Sequence, residues 1–277
     1  MDFDKLRFGT AGIPIRTKGD TLQGIKEVRK LNLDCFELEF VRGINIKEEK
    51  TPEIKKVAKE NDVILSCHSP YWVNLNSEDK KKYHASISYI VNSAKISSLC
   101  GAYSVTFHAG YYQKQSLNLV YEKIKSGIKE IVKQVREFDK SLWISPEVSG
   151  KPSQFGSVEE LIKLSQDIEQ VMPCIDFSHN FSRSIGKANK LEDFKDVLNK
   201  IKDNLGKEYL EGMHIHISGI EYGEKGEKHH LILEESKFNY KDLLKVLKEF
   251  KVKGIVICES PNIEEDALLM KNYFEKV

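Results

Sequence analysis

The feature that most restricts the fold of this chain is a rhythm. Short apolar runs alternate with helical stretches, and most of the runs end on or beside an acidic residue or a histidine. The segments Leu6 to Phe8, Cys35 to Phe40, Val63 to Cys67, Val105 to Phe107, Leu142 to Ser145, Cys174 to Ile175, Met213 to Ile217 and Ile255 to Cys258 read as strands. Between and after them, Thr21 to Leu31, Thr51 to about Asn61, Ser77 to Leu99, Ser116 to Phe138, Ser157 to Val171, Leu191 to Leu205, Tyr240 to Phe250 and Ile263 to Phe274 read as helices. In the first of these Leu22, Ile25, Val28 and Leu31 form one stripe, and Thr51-Pro52 opens the second with proline in the first turn. Eight strand–helix units in succession predict an α/β fold, a (β/α)8 TIM barrel forming a single domain over residues 1–277, with a doubly wound open sheet as the alternative.

A chain of 277 residues, 40% of them hydrophobic, is large enough for one core that removes roughly three quarters of the unfolded surface from water. No linker or low-complexity tract interrupts the rhythm. The net charge of +1 supplies no global basic field, so charge neither supports nor excludes a nucleic-acid partner. The five cysteines are odd in number, widely spaced and mostly embedded in apolar runs, which predicts buried free thiols in a reducing compartment. Met1-Asp2-Phe3-Asp4-Lys5 has no apolar leader character and no apolar stretch reaches bilayer length, so the expectation is a cytoplasmic protein without a membrane partner.

In a parallel barrel all strand C-termini converge on one face, and residues far apart in sequence line a single pocket. His68, His108, Glu147, Asp176, His179, His214 and Glu259 fall at or near such ends. Taken singly each has a plainer explanation: a structural histidine, or a carboxylate paired with a lysine. The segment Gly223 to His230, which holds Glu227, His229 and His230, reads alone as a solvated charged loop. His214 and His216 alternate with isoleucines and share one strand face, one of them a ligand and the other its wall. Together the nine donors His68, His108, Glu147, Asp176, His179, His214, Glu227, His229 and Glu259 exceed the needs of one ion. Imidazole and carboxylate without thiolate suit zinc or manganese, and a bridging carboxylate would let the set serve two or three ions that clamp a phosphodiester.

At these residues the chain resembles the endonuclease IV family of abasic-site endonucleases over nearly its whole length. The matching stretches are His68-Ser69-Pro70-Tyr71, Phe107-His108-Ala109-Gly110, Pro146-Glu147, Asp176-Phe177-Ser178-His179, Gly212-Met213-His214, Glu227-Lys228-His229-His230 and Cys258-Glu259-Ser260-Pro261-Asn262. The resemblance implies a barrel holding three zinc ions, with manganese an alternative at one site. It implies hydrolysis of duplex DNA on the 5′ side of an abasic site, leaving a 3′-hydroxyl, as a step of base excision repair. His68, His108 and Glu147 would hold the first ion. Asp176, His214 and Glu259 would hold the second with Glu147 bridging, and His179, Glu227 and His229 the third. Glu147 and Glu259 would be the catalytic carboxylates. Tyr71 would enter the minor groove, Arg42 would contact DNA, and a monomer without an obligate protein partner would suffice. A single-metal sugar isomerase or epimerase on the same barrel, or a catalytically silent lesion-binding protein, are the rival readings.

Overall fold

In the computed structural model, which describes residues 3–277, the alternating pattern becomes a ring of parallel strands wrapped by helices. The strands are β1 (Leu6–Ala11), β2 (Cys35–Glu39), β3 (Ile64–His68), β4 (Ser104–Phe107), β5 (Trp143–Pro146), β6 (Cys174–Asp176), β7 (Met213–Ile217), β8 (Gly219–Gly223), β9 (Gly226–Leu231) and β10 (Gly254–Cys258). Eight of them pair in the order β5-β4-β3-β2-β1-β10-β7-β6, every pairing parallel. Parallel bridges from Ile144 to Val171 and from Glu147 to Cys174 join the two edges and close the ring. The remaining two, β8 and β9, form an antiparallel hairpin directly after β7. The fold is thus the TIM barrel that the sequence rhythm predicts.

The helices are α1 (Thr21–Lys30), α2 (Thr51–Glu60), α3 (Lys80–Cys100), α4 (Leu117–Val135), α5 (Val158–Asp167), α6 (Phe177–Arg183), α7 (Leu191–Leu205), α8 (Tyr240–Glu249) and α9 (Glu264–Lys276). Local chemistry sets several of their starts. Asp20 with Gln23, and Ser157 with Glu160, form reciprocal caps that satisfy orphan backbone donors of α1 and α5, and Pro52 sits in the first turn of α2. Two elements depart from the sequence expectation. The charged stretch expected as a loop is largely strand β9, because Gly226 at φ +87° turns the chain back to pair with β8. Helix α6 starts at once after β6, capped by Asp176, whose carboxylate accepts from the His179 backbone N–H at 2.6 Å.

The apolar core has two parts. The larger lies between sheet and helices, filled by residues such as Ile25, Ile90, Ile128, Leu161, Leu198 and Leu244. The smaller plugs the barrel itself with Phe3, Cys35, Tyr103, Met172, Ile255 and Ile257. Beside this plug the buried Asp34 carboxylate accepts from Lys271 at 2.7 Å and faces Arg29 and Lys5, while the Lys271 ammonium also bonds the Asn32 carbonyl. All five cysteines are buried and free. Among the described residues no helix is long and apolar enough to cross a membrane.

Candidate metal centre

Above the apolar plug the strand alternation brings polar side chains inward, and their depth follows from the register. Glu37 pairs with Ser66 and Glu39 with His68, so β2 presents two carboxylates one pleat apart on one face. On β7 His214 lies level with Ile255 and His216 with Ile257, which puts His216 nearer the C-terminal mouth. At that mouth three donor groups form, each with its ligand atoms within 4.8 Å of one another. They are His68, His108 and Glu147; then Glu147, Asp176, His216 and Glu259; then His179, Glu227 and His230. Glu147 belongs to two of them. One of its oxygens is 3.2 Å from His68 Nε2 and 3.7 Å from His108 Nε2, while the other is 3.4 Å from His216 Nδ1 and 3.1 Å from His179 Nδ1.

The rings are held for ligation from behind. His68 Nδ1 donates to the Ser69 carbonyl, His179 Nδ1 to the Val148 carbonyl at 3.0 Å and His230 Nδ1 to the Glu259 carbonyl at 3.0 Å. Each of these bonds fixes a proton on Nδ1 and directs Nε2 into a donor group, where a bound cation would take the place of any proton on it. Gly150 opens room for the third group: a β-carbon there would lie 2.6 Å from Glu227 Oε2 and 2.9 Å from the His179 ring. The loop carrying it is stapled by Arg183, which donates to the carbonyls of Lys151 and Gln154 at 2.7 and 2.8 Å.

The buried atoms Glu147 Oε1, Asp176 Oδ2 and His216 Nδ1 have no hydrogen-bond partner, although leaving such groups bare is costly. All three belong to the four-donor group, and a divalent cation would satisfy them together. The charge balance has the same sense. Burial pushes Asp176 up to about 7, with Glu259 and Glu147 adding to the effect against His179. Burial pushes Glu39 up to about 8, reinforced by Glu37 and Glu259. Burial opposes charge on Glu147 too, but His108 and His216 outweigh it and hold that carboxyl well below its usual range. His68 rises to about 9 because Glu147 overcomes the burial that would lower it. The site therefore holds more carboxylates than can ionise side by side without added positive charge.

Seven of the expected donors, His68, His108, Glu147, Asp176, His179, Glu227 and Glu259, lie in these three groups, His214 lies in a fourth, deeper group with Cys174 and His216, and His229 lies in none of them. His214 sits one pleat deeper, against Glu37, and His216 takes the place expected of it in the four-donor group. His229 is exposed on β9: a bulge between the pairs Glu221–His229 and Tyr222–Glu227 breaks the alternation and brings His230, not His229, beside His179 and Glu227. Tyr71 flanks the pocket, its ring 5.4 Å from that of His68. Arg42 is exposed on the neighbouring loop, outside the pocket lining, and the two loops are joined by the Tyr71 N–H to Val41 carbonyl bond. Sequence reasoning passed over Glu37 and Glu39, whose signal was a pair of carboxylates two apart in an otherwise apolar strand. It also passed over Tyr111, Lys151 and Gln154, which line the cavity of about 260 Å³ above the donors.

Residues 25–273 match a family model described as xylose isomerase-like TIM barrel. An uncharacterized protein of Methanocaldococcus jannaschii is 45% identical over 98% of this chain and 97% of its own length. A probable endonuclease 4 of Mycoplasma genitalium is 23% identical over 76% of this chain and 71% of its own length. Among solved structures, endonuclease IV from Thermus thermophilus superposes with a TM-score of 0.76 at 19% identity, covering 98% of this chain and all of the other. A D-tagatose 3-epimerase-like protein superposes with a TM-score of 0.73 at 19% identity, over 98% of this chain and 96% of its own.

Proposed function

The chain belongs to the xylose isomerase-like TIM barrel family, and from that premise we propose that it is a metal-dependent phosphodiester hydrolase acting on abasic sites in duplex DNA. The observation that carries the proposal is the pair of histidine-containing groups flanking the four-donor group. One ion held by Glu147, Asp176, His216 and Glu259 would satisfy an isomerase; His68 with His108, and His179 with Glu227 and His230, have no part in such chemistry. Three zinc ions, the middle one sharing Glu147 with the first, fit this donor set. Divalent ions bound there would activate water and neutralise phosphoryl oxygens.

The protein's own residues complete the reading. The ring-holding bonds to carbonyls 69, 148 and 259 orient the histidines beforehand, so seating the ions would cost little reorganisation. Lys151 at the pocket wall offers a charge to a phosphate beyond the ions. The cavity is of a size for a sugar-phosphate unit turned out of a helix, and an abasic nucleotide, without a stacked base, is the cheapest to turn out. Tyr71, exposed at the rim, provides a ring to stack where that nucleotide leaves. Incision of a duplex bearing one tetrahydrofuran analogue tests the reading, since the analogue cannot undergo β-elimination. Zinc-dependent cleavage on its 5′ side, leaving a 3′-hydroxyl, is the expected result; a folded, zinc-replete sample that leaves the duplex intact overturns it.

One observation favours a second reading, a sugar epimerase using one ion: the four-donor group is complete by itself, and the D-tagatose 3-epimerase-like protein shares the fold. Metal content separates the two. One tightly bound ion per chain supports the epimerase, and three support the nuclease.

A further inference from the structure

His216 is oriented differently from its neighbours. His68, His179 and His230 are held by backbone carbonyls through Nδ1 and present Nε2, whereas His216 presents Nδ1, which lies 3.4 Å from Glu147 and 3.3 Å from Glu259. Behind it, 3.0 Å from its Nε2, stands a carboxylate oxygen of Glu37, a residue fully removed from solvent. We propose that Glu37 is a positioning residue that sets the proton of His216 on Nε2 and thereby keeps the Nδ1 lone pair facing the four-donor group. The proposal rests on the reading of that group as a metal site.

The argument is one of donors and acceptors. With an ion on Nδ1 the single ring proton of His216 lies on Nε2, and an ionised Glu37, which can only accept, stands 3.0 Å away to receive it in a water-free interior. Glu37 is fixed in turn. Its second oxygen accepts from Ser66 Oγ at 2.7 Å and stands 3.0 Å from His214 Nε2, and His214 Nδ1 has the Ser104 hydroxyl at 3.1 Å. Two ring nitrogens, those of His214 and His216, converge 3.1 Å apart on this one carboxylate. The pair His214 and Glu37 is then a support lying one layer below the ligands, which accounts for a buried histidine and a buried glutamate that touch none of the other proposed ligands. The Glu37 oxygen facing Nε2 and His216 Nδ1 are both buried without a hydrogen-bond partner, so an ion on Nδ1, which fixes the ring proton on Nε2, would satisfy both at once.

The test is metal binding by the full chain, measured by zinc competition against a chromophoric chelator together with metal content, and it needs no DNA. Glu37→Gln keeps the shape but turns one arm into a donor; the expected result is a 10–100-fold weaker ion at the four-donor group, with the other two ions and the far-ultraviolet dichroism unchanged. Glu37→Asp, which retains the charge, recovers part of the loss. Ser66→Ala, which removes only the anchor of Glu37, weakens the same ion by less than tenfold, and it decides the matter if the glutamine variant fails to fold. Ring-nitrogen NMR of the zinc-loaded protein should find His216 protonated at Nε2 and ligating through Nδ1. Wild-type affinity in a folded Glu37→Gln protein, unchanged affinity in Ser66→Ala, or a proton on Nδ1 of the zinc-loaded protein overturns the proposal. So does a further ion lost on Cys174→Ser with a thiolate-to-cobalt absorption band, because Glu37, His214, His216 and Cys174 would then be ligands themselves. A wild-type protein that binds three ions but leaves abasic DNA intact overturns the nuclease reading and leaves this one standing.

Discussion

The two ends of the barrel interior are built by the same strands with the same alternation, yet they solve burial in opposite ways. Towards the N-terminal end Phe3, Cys35, Tyr103, Met172 and Ile255 fill the ring, and the nearby Asp34 carboxylate is matched by Lys271, Arg29 and Lys5. At the C-terminal end Glu147, Asp176 and His216 each keep a buried atom without a partner. One end is complete as a folded chain and the other is not. That difference separates residues kept for stability from residues kept for chemistry.

Substitutions at the two ends should therefore fail in different assays. The largest effect is expected for Glu147→Gln, which withdraws the carboxylate shared by two donor groups: incision of abasic duplex should fall on the order of 10³-fold or more, with loss of bound zinc and little change in unfolding temperature. Near-normal turnover in that variant would erase the functional side of the contrast. Ile255→Ala, in the plug, should do the reverse, costing about 2–5 kcal/mol of stability in denaturant unfolding while zinc affinity holds. An equal loss of zinc affinity would mean that the plug and the ligands move as one unit.

Acidity separates the ends further. Burial raises the Asp34 carboxyl, but the hydrogen bond and charge of Lys271, with Lys5 and Arg29, outweigh it, so its folded value lies below the ordinary 3.8. A carboxyl depressed by folding contributes stability that is present above 3.8 and lost as pH falls through the folded value. Asp34→Asn should thus be less stable than wild type by about 1.5–3 kcal/mol near pH 7, and the gap should close in acid below that range. A gap that persists to pH 2 would sink this account. The smallest effect is expected within one hairpin: His229→Ala should change stability by less than about 0.5 kcal/mol and keep every ion, while His230→Ala loses the ion of the third group. The opposite pattern would reverse the assignment of those two neighbours.

Much of this architecture was legible because strand ends in a barrel are also the ends of apolar runs. The run Met213 to Ile217 coincides with β7, and Leu191 to Leu205 with α7. The differences came from depth and facing, which a linear pattern does not carry. His214 and His216 share one face of β7, and only the register with β10 shows that the second stands at the mouth. His229 and His230 are adjacent, and only the pairing with β8 tells which turns inward. Glu37 escaped notice because its partners Ser66, His214 and His216 come from β3 and β7, far away in the chain.

The hairpin of β8 and β9 stands outside the barrel ring, yet it supplies two of the three side chains in the third donor group, Glu227 and His230. That makes the group detachable in evolutionary terms. A lineage could exchange this one excursion after β7 and lose or regain the third site without disturbing any parallel pairing of the barrel. The ring and its four-donor group would then be the older inheritance, and the hairpin the part by which chemistry on the shared scaffold diverges.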